Sequence, residues 1–168
     1  AVQTAPIPGH VYVSGLDWGQ DNDFTSQSIF DQTTKQEVSL NRWRRESYKA
    51  IRSHVIDECI YWGVRYTMPE SNSMSTNIED LIDDFAARDY RISVIPFLMS
   101  NPGKHELVTQ LTIGYQEQGM QLVSVADEKG FDYAKQEMNI FVKKQTPTQL
   151  WTYAAEGSGH DDTVIARL

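Results

Sequence analysis

Val11-Tyr-Val-Ser-Gly-Leu-Asp-Trp-Gly-Gln-Asp-Asn-Asp-Phe-Thr25 is the segment around which the rest of the chain is organised. It begins as a short apolar strand, Val11–Leu16, and runs straight into a carboxylate, Asp17. A tight polar turn holding Asp21 and Asp23 follows. A strand that ends in an acid places that acid at a sheet edge, where a rigid element can hold it against a metal ion. Acidic turns after strands are also common as plainly solvated turns. The reading therefore depends on whether later carboxylates arrive beside Asp17.

Working outward, Thr25–Asp31 mixes polar and apolar residues as a second strand would, Asp31–Lys35 is a turn, and Glu37–Arg42 alternates as a third strand. The short turns predict an antiparallel meander. From Ser47 the period lengthens: Tyr48, Ile51, Val55, Ile56, Cys59 and Ile60 fall at helical spacing, with Gly63 as the C-cap. Val64–Pro69 is a fourth strand leading into Glu70. Ile78–Arg88 is a helix, and Ile92–Pro96 a short buried strand. Pro102-Gly103 is expected to break the chain before a helix over Lys104–Gln118. Met120–Val123 reads as a short extended piece, Phe131–Phe141 as a helix and Leu150–Ala155 as a strand, one arm of a hairpin. After the turn Glu156–Gly159, Thr163–Leu168 reads as the opening of a helix cut short. A meander followed by alternating helices and strands predicts an α/β domain, a mixed central sheet flanked by helices, over residues 11–168. Ala1–His10, with two prolines and no signal-peptide pattern, reads as a linker from something upstream.

Composition sets the class. The 168 residues are 40% hydrophobic and 11% aromatic, which is globular material and not a disordered chain. No apolar run approaches the roughly 20 residues of a membrane span, so no membrane partner is expected. A single cysteine, Cys59, excludes an internal disulfide and favours an intracellular location. The net charge of −8 is unlike that of a domain that grips nucleic acid alone. Either the partner is not a polyanion, or the acids cluster where cations sit and another domain supplies most of the grip.

Glu70 follows the fourth strand as Asp17 follows the first. If those strands are parallel neighbours, their end carboxylates come within reach of one ion; otherwise Glu70 is a helix cap or solvated. Gly159-His-Asp-Asp162 meets the start of the last helix, where an Asp is a natural N-cap, yet two Asp and a His exceed what one cap requires. Mg²⁺ and Mn²⁺ take oxygen ligands, and a two-metal site needs several carboxylates around ions about 3.5–4 Å apart. Acids gathered from strand ends and a helix start suit that task. They do not suit a closed zinc site, and no phosphate loop or nucleophile elbow is legible.

The ordered set Gly15–Thr25, Met68-Pro-Glu-Ser-Asn-Ser73, Lys104 opening a helix, and Gly159-His-Asp-Asp-Thr-Val164 resembles the nuclease domain of a tailed-phage terminase large subunit. The resemblance spans Val11–Leu168, and the His-Asp-Asp run is its most specific piece. It implies a ribonuclease H-like fold, related to Holliday-junction resolvases and retroviral integrases, and an endonuclease that cuts concatemeric double-stranded DNA during genome packaging, using two Mg²⁺ or Mn²⁺ ions. The metal-binding and catalytic acids it implies are Asp17, Glu70 and one Asp of the final pair, with Asp162 favoured as the direct ligand and Asp161 either supporting it or binding the second ion. Asp23 matches an auxiliary acid, and Lys104 a basic residue near the site that could meet a phosphate; His160 is expected either to orient the pair by hydrogen bonding or to reach a metal. Asp21 has no counterpart and reads as a turn residue. Arg42, Arg44 and Arg45, with Lys143 and Lys144, are the candidate DNA contacts. The implied partners are an N-terminal ATPase domain of the same polypeptide, the portal and the small terminase subunit, in the cytoplasm of the host cell. Two alternatives stand beside this reading: a resolvase- or transposase-like nuclease, and a non-catalytic DNA- or portal-binding module on the same fold.

Overall fold

The computed structural model describes the chain except residues 1–2, 21, 73, 124–131, 146, 148–150 and 158. Its centre is a five-stranded sheet of β1 (Tyr12–Asp17), β2 (Thr25–Asp31), β3 (Gln36–Trp43), β4 (Val64–Pro69) and β5 (Ser93–Val94), in the order β3-β2-β1-β4-β5. β1, β2 and β3 form the antiparallel meander, whereas β4 pairs parallel to β1 and β5 parallel to β4. Helices α1 (Tyr48–Trp62), α2 (Ser75–Ala87), α3 (Asn101–Gln116), α4 (Tyr133–Ile140) and α5 (Asp162–Arg167) flank it, and β6 (Phe141–Gln145) and β7 (Trp151–Ala155) make a separate antiparallel hairpin.

Strand alternation sends Tyr12, Ser14 and Leu16 of β1 to one face of the sheet and Val13, Gly15 and Asp17 to the other. The first face is the main core. Ile51, Val55, Ile56 and Cys59 of α1 and Leu81 and Phe85 of α2 close over Tyr12, Leu16, Ile29 and Val64. Gln27, buried there, is held through its amide nitrogen: Nε2 donates to Ser14 Oγ at 3.0 Å and to the Val55 carbonyl at 3.4 Å. α1 begins and ends as its sequence dictates. The Ser47 hydroxyl accepts from the Ala50 N–H at 3.2 Å, and Gly63 takes the left-handed φ of 67° that a side chain would disfavour.

α5 lies on the opposite face, over β1 and β2, so close that a Cβ added at Gly15 would stand 2.0 Å from the Ala166 carbonyl oxygen. A buried ion pair anchors it. Arg167 Nε and Nη2 donate to the two Glu37 oxygens at 2.9 and 2.8 Å, and the Ser28 hydroxyl and Val123 N–H complete the carboxylate's shell. The segment before β1 is also fastened: Tyr61 donates to the Thr4 carbonyl at 3.0 Å, and His10 Nδ1 meets the buried Asp31 carboxylate at 2.7 Å.

Three local expectations change. Pro102-Gly103 does not break the chain ahead of a helix; it lies in the first turn of α3, capped by the Ser100 hydroxyl, where a missing proline N–H goes unneeded. The strand expected over Ile92–Pro96 is two residues long and sits at the sheet edge with Ser93 exposed. The helix expected to reach Phe141 stops at Ile140, because Phe141 already belongs to β6, the hairpin arm that the spacing does not announce. Phe131, the expected start of that helix, lies outside the described residues, as do Asp21 and the beginning of the Leu150–Ala155 strand.

Candidate metal centre

Asp17 is the last residue of β1, and Glu70 is the first after β4. Leu16 pairs with Pro69 across the parallel ladder, and the Glu70 N–H donates to the Leu16 carbonyl at 2.8 Å. The two acids therefore leave the same sheet edge side by side. The contact of α5 with Gly15 brings the third group over that edge, since Asp161 is the N-cap residue of α5 and Asp162 its first helical residue.

Neither aspartate is occupied with capping. Asp161 makes no side-chain capping bond; its Oδ2 stands 4.0 Å from Lys104 Nζ, at the start of α3. Asp162 Oδ2 is buried without a hydrogen-bond partner, and His160 Nδ1 lies 3.5 Å from it and 3.8 Å from Asp23 Oδ1. Glu70 Oε1 accepts from the Asn72 N–H at 2.9 Å, and the Asn72 side chain is held in turn by both backbone groups of Met99.

The electrostatics follow from this crowding. Burial first, and then the charges of Asp162, Glu70 and Asp161, push the Asp17 carboxyl up to about 8, against the pull of Lys104. Burial, Glu137, Asp23 and Asp161 push Asp162 up to about 7, with Arg42 opposing. Carboxylates crowded in this way form a place where a cation would be stabilised. Among the described residues, no three of His, Cys, Asp and Glu stand close enough to form a finished ligand cage. The donor set nonetheless fits a hard divalent ion: it is all oxygen, it is mutually repulsive, and one buried oxygen has no hydrogen-bond donor.

The basic candidates divide. Arg42 is enclosed: its guanidinium lies 4.1 Å from the Phe24 ring centre and 3.5 Å from that of Tyr133, and its Nη1 donates to Glu137 at 3.1 Å. Arg44 and Arg45 are exposed. Arg44 lies over Phe24 at 4.4 Å, and Phe24 meets His160 edge-on. Lys143 and Lys144 are exposed on β6, whose Phe141 lies 5.5 Å from Lys104 Nζ. One basic group thus flanks the acids through Phe24, and the other through the hairpin. Glu137 and Thr163 also belong to this neighbourhood, and sequence pattern does not single them out. Glu137 closes the run Tyr133-Ala-Lys-Gln-Glu137, which carries no signal that separates it from a surface acid. It is nevertheless buried, and it accepts from the Thr163 N–H and hydroxyl.

A β3-β2-β1-β4-β5 sheet with acids at the ends of β1 and β4 and at the start of a helix on its face defines a ribonuclease H-like α/β domain. The solved structures it is similar to include nuclease domains of phage large terminases. The large terminase nuclease from thermophilic phage G20c with bound magnesium superposes with a TM-score of 0.79 at 21% identity, over 99% of this chain and 82% of that one. The nuclease domain from Thermus phage P74-26 gives 0.77 at 22%, over 99% and 80%. A mutant nuclease domain of the large terminase subunit of bacterial virus Sf6 with manganese gives 0.70 at 9%, over 93% and 85%. At these identities the likeness is one of fold. No protein-family model and no curated protein matches the chain.

Proposed function

We propose that this chain is a divalent-metal-dependent DNA endonuclease, the nuclease domain of a phage genome-packaging terminase. The observation that carries the reading is that Asp17, Glu70, Asp161 and Asp162, from β1, β4 and α5, lie at one end of the sheet with Asp17 in the field of the other three, on a fold shared with terminase nucleases. Asp17, Glu70 and Asp162 would hold one or two Mg²⁺ or Mn²⁺ ions, with Asp161 beside them. Bound there, such ions supply activation of water and neutralisation of charge on a phosphodiester.

The chain's own groups position the substrate. Lys104, beside Asp161 and the Phe141 ring, would meet a phosphate oxygen. Arg44 and Arg45 on one flank, and Lys143 and Lys144 on the other, suit the backbone of double-stranded DNA. His160 orients Asp162, and Asp23 adds negative charge at the rim. An acidic domain of this kind would act on concatemeric DNA with affinity supplied by an ATPase domain of the same polypeptide, the portal and the small terminase subunit, in the cytoplasm of the host.

The test is Asp17→Asn. The variant should melt as a folded domain and lose Mn²⁺-supported nicking of supercoiled plasmid by at least about a hundredfold. Nicking at the wild-type rate would remove the proposal.

A further inference from the structure

We propose that Glu137 is a positioning residue for the metal centre, capping α5 from outside so that Asp161 and Asp162 stay turned toward Asp17. This rests on the metal-centre reading and adds a residue from an element that contributes no ligand to it.

A helix start needs its first N–H groups satisfied, and an N-cap aspartate normally does this with its own side chain. Asp161 occupies that position in α5 and makes no such bond. Glu137, on α4, supplies it: one carboxylate oxygen accepts from the Thr163 N–H at 2.8 Å and from the Thr163 hydroxyl. Its other oxygen accepts from Arg42 Nη1 at 3.1 Å. Arg42 is itself fixed by the Phe24 and Tyr133 rings, so the cap is braced from β3 and from the start of α4. Glu137 is 4% exposed, and Thr163 is fully buried. Both oxygens of Glu137 are engaged with donors, so it serves as a brace and not as a ligand. A carboxylate of Asp161 recruited to cap its own helix would turn away from the sheet edge; the external cap removes that competition.

Calorimetry with Mn²⁺ in the absence of DNA reads this directly. Glu137→Gln keeps the shape but turns one acceptor into a donor facing either Thr163 or Arg42. It should weaken Mn²⁺ binding by about ten- to a hundredfold, as loss of a partner that orients a ligand does. Thr163→Val should weaken binding in the same direction, and Thr163→Ser, which restores the hydroxyl, should recover it. All variants are titrated well below their metal-free melting temperatures, so a merely structural role would leave the dissociation constant unmoved. Wild-type affinity in Glu137→Gln overturns the proposal. If that variant does not fold, wild-type affinity in Thr163→Val overturns it. Asp17→Asn and Asp162→Asn are titrated alongside: undiminished binding in those two removes the metal centre itself, whereas undiminished binding only in the Glu137 and Thr163 variants removes the brace alone.

Discussion

Asp17 costs the fold most when it is ionised. Its carboxyl is pushed up to about 8 from an ordinary 3.8, by burial first and then by its acidic neighbours. Between those two values the folded protein keeps a proton that the unfolded chain has released. The group's contribution to stability is therefore complete below about pH 4 and is lost as pH rises through 8. Asp162, raised to about 7, acts in the same sense. Metal-free Asp17→Asn should accordingly melt above the wild type at pH 8 by at least about 2 °C, the shift worth about 1 kcal/mol in a domain of this size. The gap should narrow toward pH 5. Millimolar Mn²⁺ should reverse the order at pH 8, because the ionised wild-type site binds the ion and gains stability by mass action. Thermal melts across pH, with and without Mn²⁺, check both expectations.

At the scale of elements, the contact between β1 and α5 decides whether the site closes. Gly15 has no room for a side chain against the Ala166 carbonyl. Gly15→Val should lift α5 while leaving α1 and α2 packed on the other face of the sheet, since Gly15 points away from them. The expected outcome is a folded domain, destabilised by about 1–3 kcal/mol by overpacking, with Mn²⁺ binding lost. Wild-type calorimetry in that variant would show that α5 need not lie so close. The same contact explains what the sequence discloses and what it withholds. Asp17, Glu70 and Asp162 are legible because each follows a strand end or opens a helix, so local pattern fixes its place. The parallel pairing of β1 with β4 then seats the first two together. Glu137 is not legible, because its role comes from α4 meeting α5, and nothing in Lys-Gln-Glu-Met records that meeting. Arg42 misleads in the opposite way: beside Arg44 and Arg45 it reads as surface charge, whereas its guanidinium is enclosed by two rings and a carboxylate. β6 is hidden for a different reason. A hairpin arm outside the main core has little apolar alternation to show.

Over the whole molecule, if the chain acts on DNA as proposed, the charge of −8 and the two basic flanks would set how DNA is held. Affinity of the domain alone should be weak and steeply salt-dependent. Lys144→Ala and Arg44→Ala should each lower the slope of log affinity against log salt by about 0.9 for every phosphate left without its cation. Arg42→Ala should instead lower the melting temperature, because it strips Glu137 of a partner while leaving the exposed arginines in place. Fluorescence anisotropy over a salt series, paired with melts, separates the two classes. A slope change in Arg42→Ala as large as in Arg44→Ala would place that guanidinium on the DNA after all.

The ion pair between Glu37 and Arg167 joins residues 130 positions apart. Asp17 and Glu70 stand at the ends of β1 and β4, in the first half of the sequence, whereas Asp161 and Asp162 arrive with α5 at residues 161–162. Closing a loop as long as the one between Glu37 and Arg167 costs chain entropy, and the buried two-pronged pair offsets part of that cost. The pair is in effect a clasp, fastening the helix that carries Asp161 and Asp162 to the sheet that carries Asp17.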